Sequence, residues 1–196
     1  MLFHIMIPIE LESDGLILAK AKDPAAQRQL YEQYAPMVLG TCRRYCENIA
    51  DAEDVMQEVF VKAFRKLDTF QGLGDFGAWL RRIAVTTSID HVRKRGRLQL
   101  DKYVMDAFAK GSEPLPLQMR VEPTVLENMA VEEIVALINK LPEGFRFVFN
   151  LVAVEGYSHS EAAKLLGISE STSRSQLTRA RKWLINRLAS ISTLCL

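Results

Sequence analysis

Cysteine is scarce in this sequence, and a long apolar run is missing. The chain has 3 cysteines among 196 residues, and an odd number without a secretory leader fits a reducing compartment rather than a disulfide framework. The apolar stretch at residues 1–9 contains Pro8 and no basic leader. No stretch approaches the ~20 apolar residues of a membrane helix. We therefore expect a cytoplasmic protein that does not insert into a membrane.

Residue patterns typical of enzymes are missing too. The sequence has no glycine-rich phosphate loop, no nucleophile paired with a base and no cluster of metal ligands. We therefore predict that the protein is not an enzyme and has no catalytic residues. Cys42 and Cys46 are one helical turn apart and could supply two thiolates, but zinc needs two further ligands and the 3 histidines are scattered. We predict no metal and no cofactor, and interpret both cysteines as ordinary thiols packed on a helix.

Helical periodicity dominates the rest of the sequence. Apolar residues recur at spacings of three and four, and no segment alternates with the period of a strand. The pattern predicts helices at residues 11–23, 25–48, 51–69, 78–97, 125–141 and 142–154. Asp23 and Pro24 form a good start for the second helix, and Pro36 is expected to bend or interrupt it.

Residues 98–124 break the periodic pattern. They include one glycine and three prolines, at positions 111, 114, 116 and 123, which predicts a flexible linker with a short helix at residues 103–109. The predicted fold class is therefore all-α. Two small helical domains, residues 1–97 and residues 125–196, are joined by the linker.

The stretch from Glu155 to Arg187 has the features of a helix-turn-helix. Ser158 and Glu161 form a capping-box pattern at the start of a short helix, and Gly167 ends that helix. The next helix has one apolar face and one basic face, the latter formed by Arg174, Ser175, Gln176, Thr178, Arg179, Arg181 and Lys182. Such a helix fits the major groove of DNA. The alternative is a plain helical hairpin with a solvated basic face.

Charge is balanced over the whole chain but not locally. The net charge is +1, whereas residues 81–97 hold six lysines and arginines against one acid, and residues 47–58 hold five acids and no base. This asymmetry predicts separate contact surfaces for separate partners. On the helix at residues 51–69, the polar side chains off the apolar stripe include Asp51, Asp54, Gln57 and Glu58.

Four segments in a fixed order resemble the extracytoplasmic-function sigma factors, two-domain members of the sigma-70 family of bacterial RNA polymerase. They read DAEDVMQEVFVKAF at residues 51–64, FGAWLRRIA at 76–84, LPEGFRFVF at 141–149 and YSHSEAAKLLGISESTSRSQLTRAR at 157–181. Each segment is degenerate alone, but the ordered set covers most of the chain between residues 25 and 188. No segment resembles the additional domains of housekeeping sigma factors.

The resemblance implies a sigma factor that binds core RNA polymerase, directs it to promoter DNA and assists promoter melting. In this family the first domain docks on the clamp helices of the polymerase, and the matching residues here are Asp51, Asp54, Gln57 and Glu58. Taken alone, a charged stripe of this kind is more often a solvated helix face.

The glycine-containing segment at residues 70–76 and the helix after it match the part of the family that opens the minus-ten promoter element. The matching residues are Phe76, Arg81, Arg82, Thr86, His91, Arg93 and Lys94, of which the basic ones would hold phosphates of the exposed strand. Trp79 could stack on a base, although its spacing beside Phe76 favours the core. Relatives often have Asn at the position of Thr86, which puts the base preference in doubt.

The second domain matches the reader of the minus-thirty-five element. Arg174 is expected to contact a guanine edge, with Ser175, Thr178 and Arg179 beside it, while Arg181 and Lys182 hold phosphates. Relatives commonly have a basic residue where this chain has Gln176, so one phosphate contact is expected to be missing.

The role of the linker, one further partner and one competing function remain at this stage. The linker resembles the segment that threads toward the polymerase active centre, and its composition fits an inert tether equally well. The family also implies an inhibitory anti-sigma factor, often membrane-bound. The competing function is a free-standing helix-turn-helix regulator that binds operator DNA without polymerase, which leaves residues 51–97 unexplained.

Overall fold

The computed structural model describes residues 10–72, 74–94 and 131–194. Every regular element within these ranges is helical, which confirms the all-α fold class. The chain divides into two compact units, residues 1–88 and 89–196. The predicted linker, its short helix at 103–109 and the beginning of the helix at 125–141 lie outside the described residues, so the domain bounds stay a prediction.

The first unit contains helices α1 (Glu10–Lys20), α2 (Pro24–Arg43), α3 (Ile49–Arg65) and the start of α4 (Phe76–Lys94), with a 3-10 turn at Leu67–Thr69 before α4. Helix α2 begins as predicted, because the Asp23 carboxylate accepts a hydrogen bond from the backbone N–H of Ala26 at 2.8 Å. The helix continues through Pro36. The predicted interruption there is therefore wrong.

The core of this unit lies between α2, α3 and α4. Val38 of α2, Val55 and Val59 of α3, and Leu80 and Ala84 of α4 are completely buried. These residues recur at spacings of three and four within each helix, so each helix turns one apolar stripe toward the others. Outside this stripe α3 exposes Asp54 and Gln57, whereas α4 exposes Arg81 and Arg82 but also buries Val85.

The second unit ends in the helix-turn-helix. Its helices are α5 (Val131–Asn139), α6 (Glu143–Phe149), α7 (His159–Leu166) and α8 (Glu170–Leu194). The single helix predicted at 142–154 is divided, since α6 passes into a π-helical turn at Asn150–Val154. The core of this unit is formed by Ile138, Leu141 and Ala180, with Ile134, Phe145, Phe149, Trp183 and Leu184 packed around it.

Candidate nucleic-acid and partner surfaces

The turn between α7 and α8 is built from three local signals. The Ser158 hydroxyl accepts from the Glu161 backbone N–H at 3.2 Å, and the Glu161 carboxylate accepts from the Ser158 N–H at 2.9 Å. Gly167 ends α7 in the left-handed conformation, with φ 70° and ψ 31°, which only glycine adopts without strain. The Ser169 hydroxyl then accepts from the Thr172 N–H at 3.0 Å and caps α8. The predicted helix-turn-helix is confirmed in its local geometry.

A partly buried polar contact joins α8 to α7. Nδ1 of His159, the first residue of α7, lies 2.9 Å from the Ser173 hydroxyl, and Ser173 is completely buried. Ala162 and Leu166 of α7 and Leu177 of α8 are buried as well. Sequence reasoning missed this contact, although Ser173 stands one turn before Leu177 and therefore on the buried stripe.

The opposite face of α8 is open to the solvent and polar. Arg174, Ser175, Thr178, Arg181 and Lys182 are exposed, and Arg179 is half-buried. The Arg174 guanidinium forms an ion pair with the Glu170 carboxylate one turn earlier. The hydroxyls of Ser175 and Thr178 donate back to helix carbonyls at 3.0 and 3.1 Å, so their oxygens remain available as acceptors. All six residues predicted to contact the minus-thirty-five element thus share one helix, and five of them are exposed.

Gln176 does not belong to this face. Its exposure is 1%, and its Oε1 has no hydrogen-bond partner within the described part of the chain. The placement of Gln176 on the basic face is therefore wrong. A longer basic side chain at this position would point into the packed interior rather than toward a phosphate.

Helix α4 presents the basic residues predicted to contact the minus-ten strand. Arg81, Arg82, Arg93 and Lys94 are exposed, and Arg93 pairs with Asp90 at 3.3 Å. The Thr86 hydroxyl donates to the carbonyls of Arg82 and Ile83, both at 3.0 Å. Its oxygen is left as an acceptor at the surface.

Two other residues predicted for this surface lie elsewhere. Phe76 is 2% exposed and contacts Phe70 and Tyr34 edge-on, with ring centroids 5.4 and 5.1 Å apart. It is a core residue, so its assignment to the DNA surface is wrong. His91 is half-buried and its Nε2 is enclosed, so this nitrogen does not face a phosphate as predicted. Trp79 is half-buried and stacks on Phe76 at 5.4 Å.

Helix α3 carries the acidic surface. Asp54 and Gln57 are exposed, and the Glu58 carboxylate pairs with the Lys62 ammonium at 2.8 Å, both side chains being about one-third exposed. Val61, on the same face one turn later, is 48% exposed. The face therefore combines carboxylates, an amide and an exposed apolar side chain.

Asp51 is the exception among the four predicted docking residues. It is only 9% exposed. Its carboxylate accepts from the Asn48 side-chain amide at 3.0 Å, while its own N–H donates to Asn48 Oδ1 at 2.8 Å. Asp51 therefore fixes the start of α3, and its prediction as an exposed docking residue is wrong.

Two family models match the parts of the chain that carry these surfaces. The model of Sigma-70 region 2 matches residues 30–98, and that of Sigma-70 region 4 matches residues 131–184. The RNA polymerase sigma-H factor of Pseudomonas aeruginosa is 34% identical over 163 residues, which are 82% of this chain and 84% of that protein. The chain belongs to the sigma-70 family. The ECF RNA polymerase sigma-E factor of Escherichia coli is 31% identical over 170 residues, which are 85% of this chain and 88% of that protein. Within the sigma-70 family the chain is therefore an extracytoplasmic-function sigma factor.

Two further relatives define the extent of this likeness. The ECF RNA polymerase sigma factor SigE of Mycolicibacterium smegmatis is 32% identical over 166 residues, which span 84% of this chain and 62% of that protein. The sigma factor RpoE of Bartonella quintana, solved with the anti-sigma factor NepR, has a TM-score of 0.50 and 23% identity, covering 84% of this chain and 96% of that one. At 23% identity, the similarity to the Bartonella quintana protein concerns the fold alone.

Membership in this family confirms the predicted function. Sigma factors direct RNA polymerase in transcription initiation, act in the cytoplasm and are not enzymes. Region 2 includes α3 and α4, and region 4 includes the helix-turn-helix. The exposed surfaces of α3 and α4 therefore lie in region 2, and the exposed surface of α8 lies in region 4.

The remaining predictions concern thiols, metals and membranes. Cys42 and Cys46 are buried free thiols, and burial raises the pKa of the Cys42 thiol to about 11. Among the described residues, no group of His, Cys, Asp and Glu is arranged to hold a metal ion. In the same part of the chain, no helix combines the length and apolarity that crossing a bilayer requires.

Proposed function

We propose that the exposed face of α8 reads the minus-thirty-five element while α4 holds the melted minus-ten strand and α3 docks on core RNA polymerase. The observation that carries the proposal is the set of exposed polar side chains on α8, held behind a capped, glycine-terminated turn. A helix fixed in this way can enter a major groove without rearranging its own packing. The domain bounds of 1–97 and 125–196, with a linker at 98–124, belong to the same proposal.

Arg174 is the residue we assign to base reading. Its guanidinium is held by Glu170 on the exposed face, and an exposed pair of this kind contributes about 0–1 kcal/mol. A bidentate contact with guanine O6 and N7 discriminates by about 1–3 kcal/mol. The ion pair with Glu170 is therefore weak enough to be given up when Arg174 contacts a base. Ser175, Thr178 and Arg179 flank Arg174, and Arg181 and Lys182 lie farther along toward the phosphates.

Arginine-to-alanine substitution at position 174 tests base reading. We expect Arg174→Ala to weaken transcription by about 1–3 kcal/mol, roughly 5- to 150-fold, at promoters with the preferred upstream element. Arg187→Ala is the matched control, because Arg187 is exposed on the same helix about 20 Å farther along. Run-off transcription on promoters with intact and scrambled upstream elements provides the measurement. An equal loss on both templates would remove Arg174 from the set of base-reading residues.

The minus-ten surface is supported by the exposed side chains of α4. Arg81 and Arg82 lie in its second turn and can pair with phosphates of a single strand. Thr86 follows Arg82 by one turn and offers a hydroxyl oxygen to an exocyclic amine of an unstacked base. Arg93 and Lys94 extend the same basic character to the end of the helix.

The polymerase surface is supported by the composition of α3. Asp54 and Gln57 are exposed, and Glu58 is held by Lys62 in the free chain. A basic group on the polymerase would compete with Lys62 for the Glu58 carboxylate, and Val61 would lose its water on docking. With Asp51 assigned to the start of α3, three of the four predicted docking residues remain in this proposal.

An anti-sigma factor is the remaining proposed partner. The solved sigma factor from Bartonella quintana is bound to one, and its fold resembles that of this chain. We propose that a protein of this class competes with the polymerase for the exposed faces. Co-purification of the chain from its own organism, followed by mass spectrometry of the bound protein, is the direct test.

A further inference from the structure

A lysine outside the region 2 match contacts the segment that leads into α4. The region 2 match begins at residue 30, whereas Lys20 is the last residue of α1. Its ammonium donates to the backbone carbonyl of Phe70 at 2.6 Å. The same nitrogen lies 6.0 Å from the centroid of the Phe70 ring, at the outer limit of a cation–π contact. One side chain thus holds both the backbone and the ring of Phe70.

The end of α1 that carries Lys20 is itself held in place. Ala19 is 1% exposed, and its carbonyl accepts from the Gln27 side-chain amide on α2 at 3.2 Å. The Lys20 ammonium therefore projects from a backbone whose position is set by burial on one side and by a hydrogen bond on the other. This limits the positions that Phe70 can take while the contact is made.

Phe70 in turn supports the tryptophan at the surface of α4. Its ring is buried and lies 5.5 Å from the Trp79 ring and 5.4 Å from the Phe76 ring. Trp79 also stacks on Phe76, and it is only half-buried. Residues three and seven positions after Trp79 are Arg82 and Thr86, which share its face of the helix. The open part of the indole is therefore next to the side chains assigned to the melted strand.

We propose that Lys20 is a positioning residue for promoter opening. By holding Phe70, it fixes the indole of Trp79 as a platform on which a base of the minus-ten strand stacks. The inference rests on the proposed function of α4. It assigns a role to α1, and it makes Trp79 a base platform supported from below by the core, a role compatible with its packing against Phe76.

Three variants separate positioning from stability. Lys20→Met keeps the length of the side chain but removes the donor and the charge, whereas Lys20→Arg keeps both. Lys22→Met is the matched control, because Lys22 is an exposed lysine two residues away. Each variant is reconstituted with core polymerase. The probe is a fluorescent non-template-strand oligonucleotide carrying the minus-ten segment of a promoter mapped by RNA sequencing after overexpression of the chain.

Binding of this probe is compared with binding of a scrambled strand. Stacking of a base on an aromatic ring is strong enough that misplacing the ring should reduce discrimination on the order of three- to tenfold in Lys20→Met. Lys20→Arg and Lys22→Met should discriminate as the wild-type protein does. In the free chain with Trp183→Phe, acrylamide should quench Trp79 fluorescence more strongly in Lys20→Met than in the parent.

The outcomes distinguish the inference from the function on which it rests. If Lys20→Met still distinguishes the minus-ten strand from the scrambled strand as the wild type does, and only its thermal midpoint is lowered, then Lys20 is a structural residue. That result overturns the inference but not the proposed function of α4. A wild-type holoenzyme that does not distinguish the two strands overturns the minus-ten function of α4, and the inference with it. Loss of discrimination in Lys20→Met together with rescue by Lys20→Arg supports the inference.

Discussion

Replacement of the buried Gln176 should stabilise the second unit. The side chain is 1% exposed, and its Oε1 has no hydrogen-bond partner within the described residues. Methionine has a similar length and volume but lacks the amide, so Gln176→Met removes the unpaired acceptor without opening a cavity. Lysine at the same position has the opposite effect, because an ammonium would be buried without a partner.

The size of the effect follows from the cost of an unpaired buried group. Leaving a buried acceptor unsatisfied costs about 1–3 kcal/mol, so the methionine variant should gain about 1 kcal/mol or more in free energy of unfolding. For a domain of about 60–100 residues, each kcal/mol corresponds to roughly 4–8 °C in midpoint temperature. The lysine variant should lose several kcal/mol, on the order of the penalty for an uncompensated buried charge.

Tryptophan fluorescence allows the second unit to be followed by itself. The chain has 2 tryptophans, so a Trp79→Phe background leaves Trp183, which packs on the core of that unit. Urea and thermal unfolding are recorded for the parent and both variants in this background. The salt dependence of DNA binding by the reconstituted holoenzyme is measured in parallel, because each added phosphate contact steepens the logarithmic slope by roughly one.

The reasoning would be refuted by a surface position for this residue. In that case Gln176→Met would leave the midpoint unchanged. Gln176→Lys would remain folded and would increase the salt slope by about one, as expected for a new phosphate contact.

Two other predictions concern the first unit. Asp54→Lys combined with Glu58→Lys should abolish co-elution with core polymerase on gel filtration, because basic groups would replace the carboxylates of the docking face. The control is Glu32→Lys with Asp68→Lys, which makes the same change in net charge elsewhere in the first unit and should co-elute as the parent does. If the Asp54→Lys, Glu58→Lys variant also co-elutes, the α3 face is an ordinary solvated helix face and not a docking surface. The native Cys42 thiol should resist iodoacetamide at pH 8, because its pKa is raised from 9.0 to about 11. Because the pKa of the Cys42 thiol is higher in the folded chain than in the unfolded chain, Cys42 contributes to the free energy of unfolding. This contribution is fully present below pH 9 and is lost as the pH rises toward 11. Rapid labelling of Cys42 in the folded protein, located by peptide mass spectrometry, would contradict its burial.

Local sequence signals predicted the helix-turn-helix well. The capping box of Ser158 and Glu161, the glycine at position 167 and the serine cap at 169 each act over three or four residues. Such interactions depend only on residues a few positions apart, so the local sequence is enough to predict them. The start of α2 at Asp23 and Pro24 was predictable for the same reason.

Three of the four misplaced residues have a common cause. Asp51, Phe76 and Gln176 each stand four residues before a buried residue of the same helix, namely Val55, Leu80 and Ala180. The helical period therefore places them on the buried stripe. Residue type obscured this at Asp51 and Gln176, because an acid and an amide were read as surface groups. Phe76 was placed in the minus-ten set by the family resemblance. Periodicity was the better guide than polarity at all three positions.

The long-range contacts could not be predicted from the sequence. Lys20 and Phe70 are 50 residues apart, and Lys62 donates to Thr87 across 25 residues at 3.3 Å. These contacts exist only because α1 to α4 pack around one core, so no local pattern specifies them. The π-helical turn at Asn150–Val154 likewise has no counterpart in the periodicity, which continues through it.

The central claim is that this chain reads promoter DNA only as part of a polymerase complex and contacts two separate elements there. Hydroxyl-radical footprinting of one promoter with the chain alone, with core polymerase alone and with both together tests it most directly. We predict protection of both the minus-thirty-five and the minus-ten segments when both proteins are present, and no specific protection with either protein alone. Strong, specific protection of one site by the chain without polymerase would contradict the account and would identify a free-standing helix-turn-helix regulator.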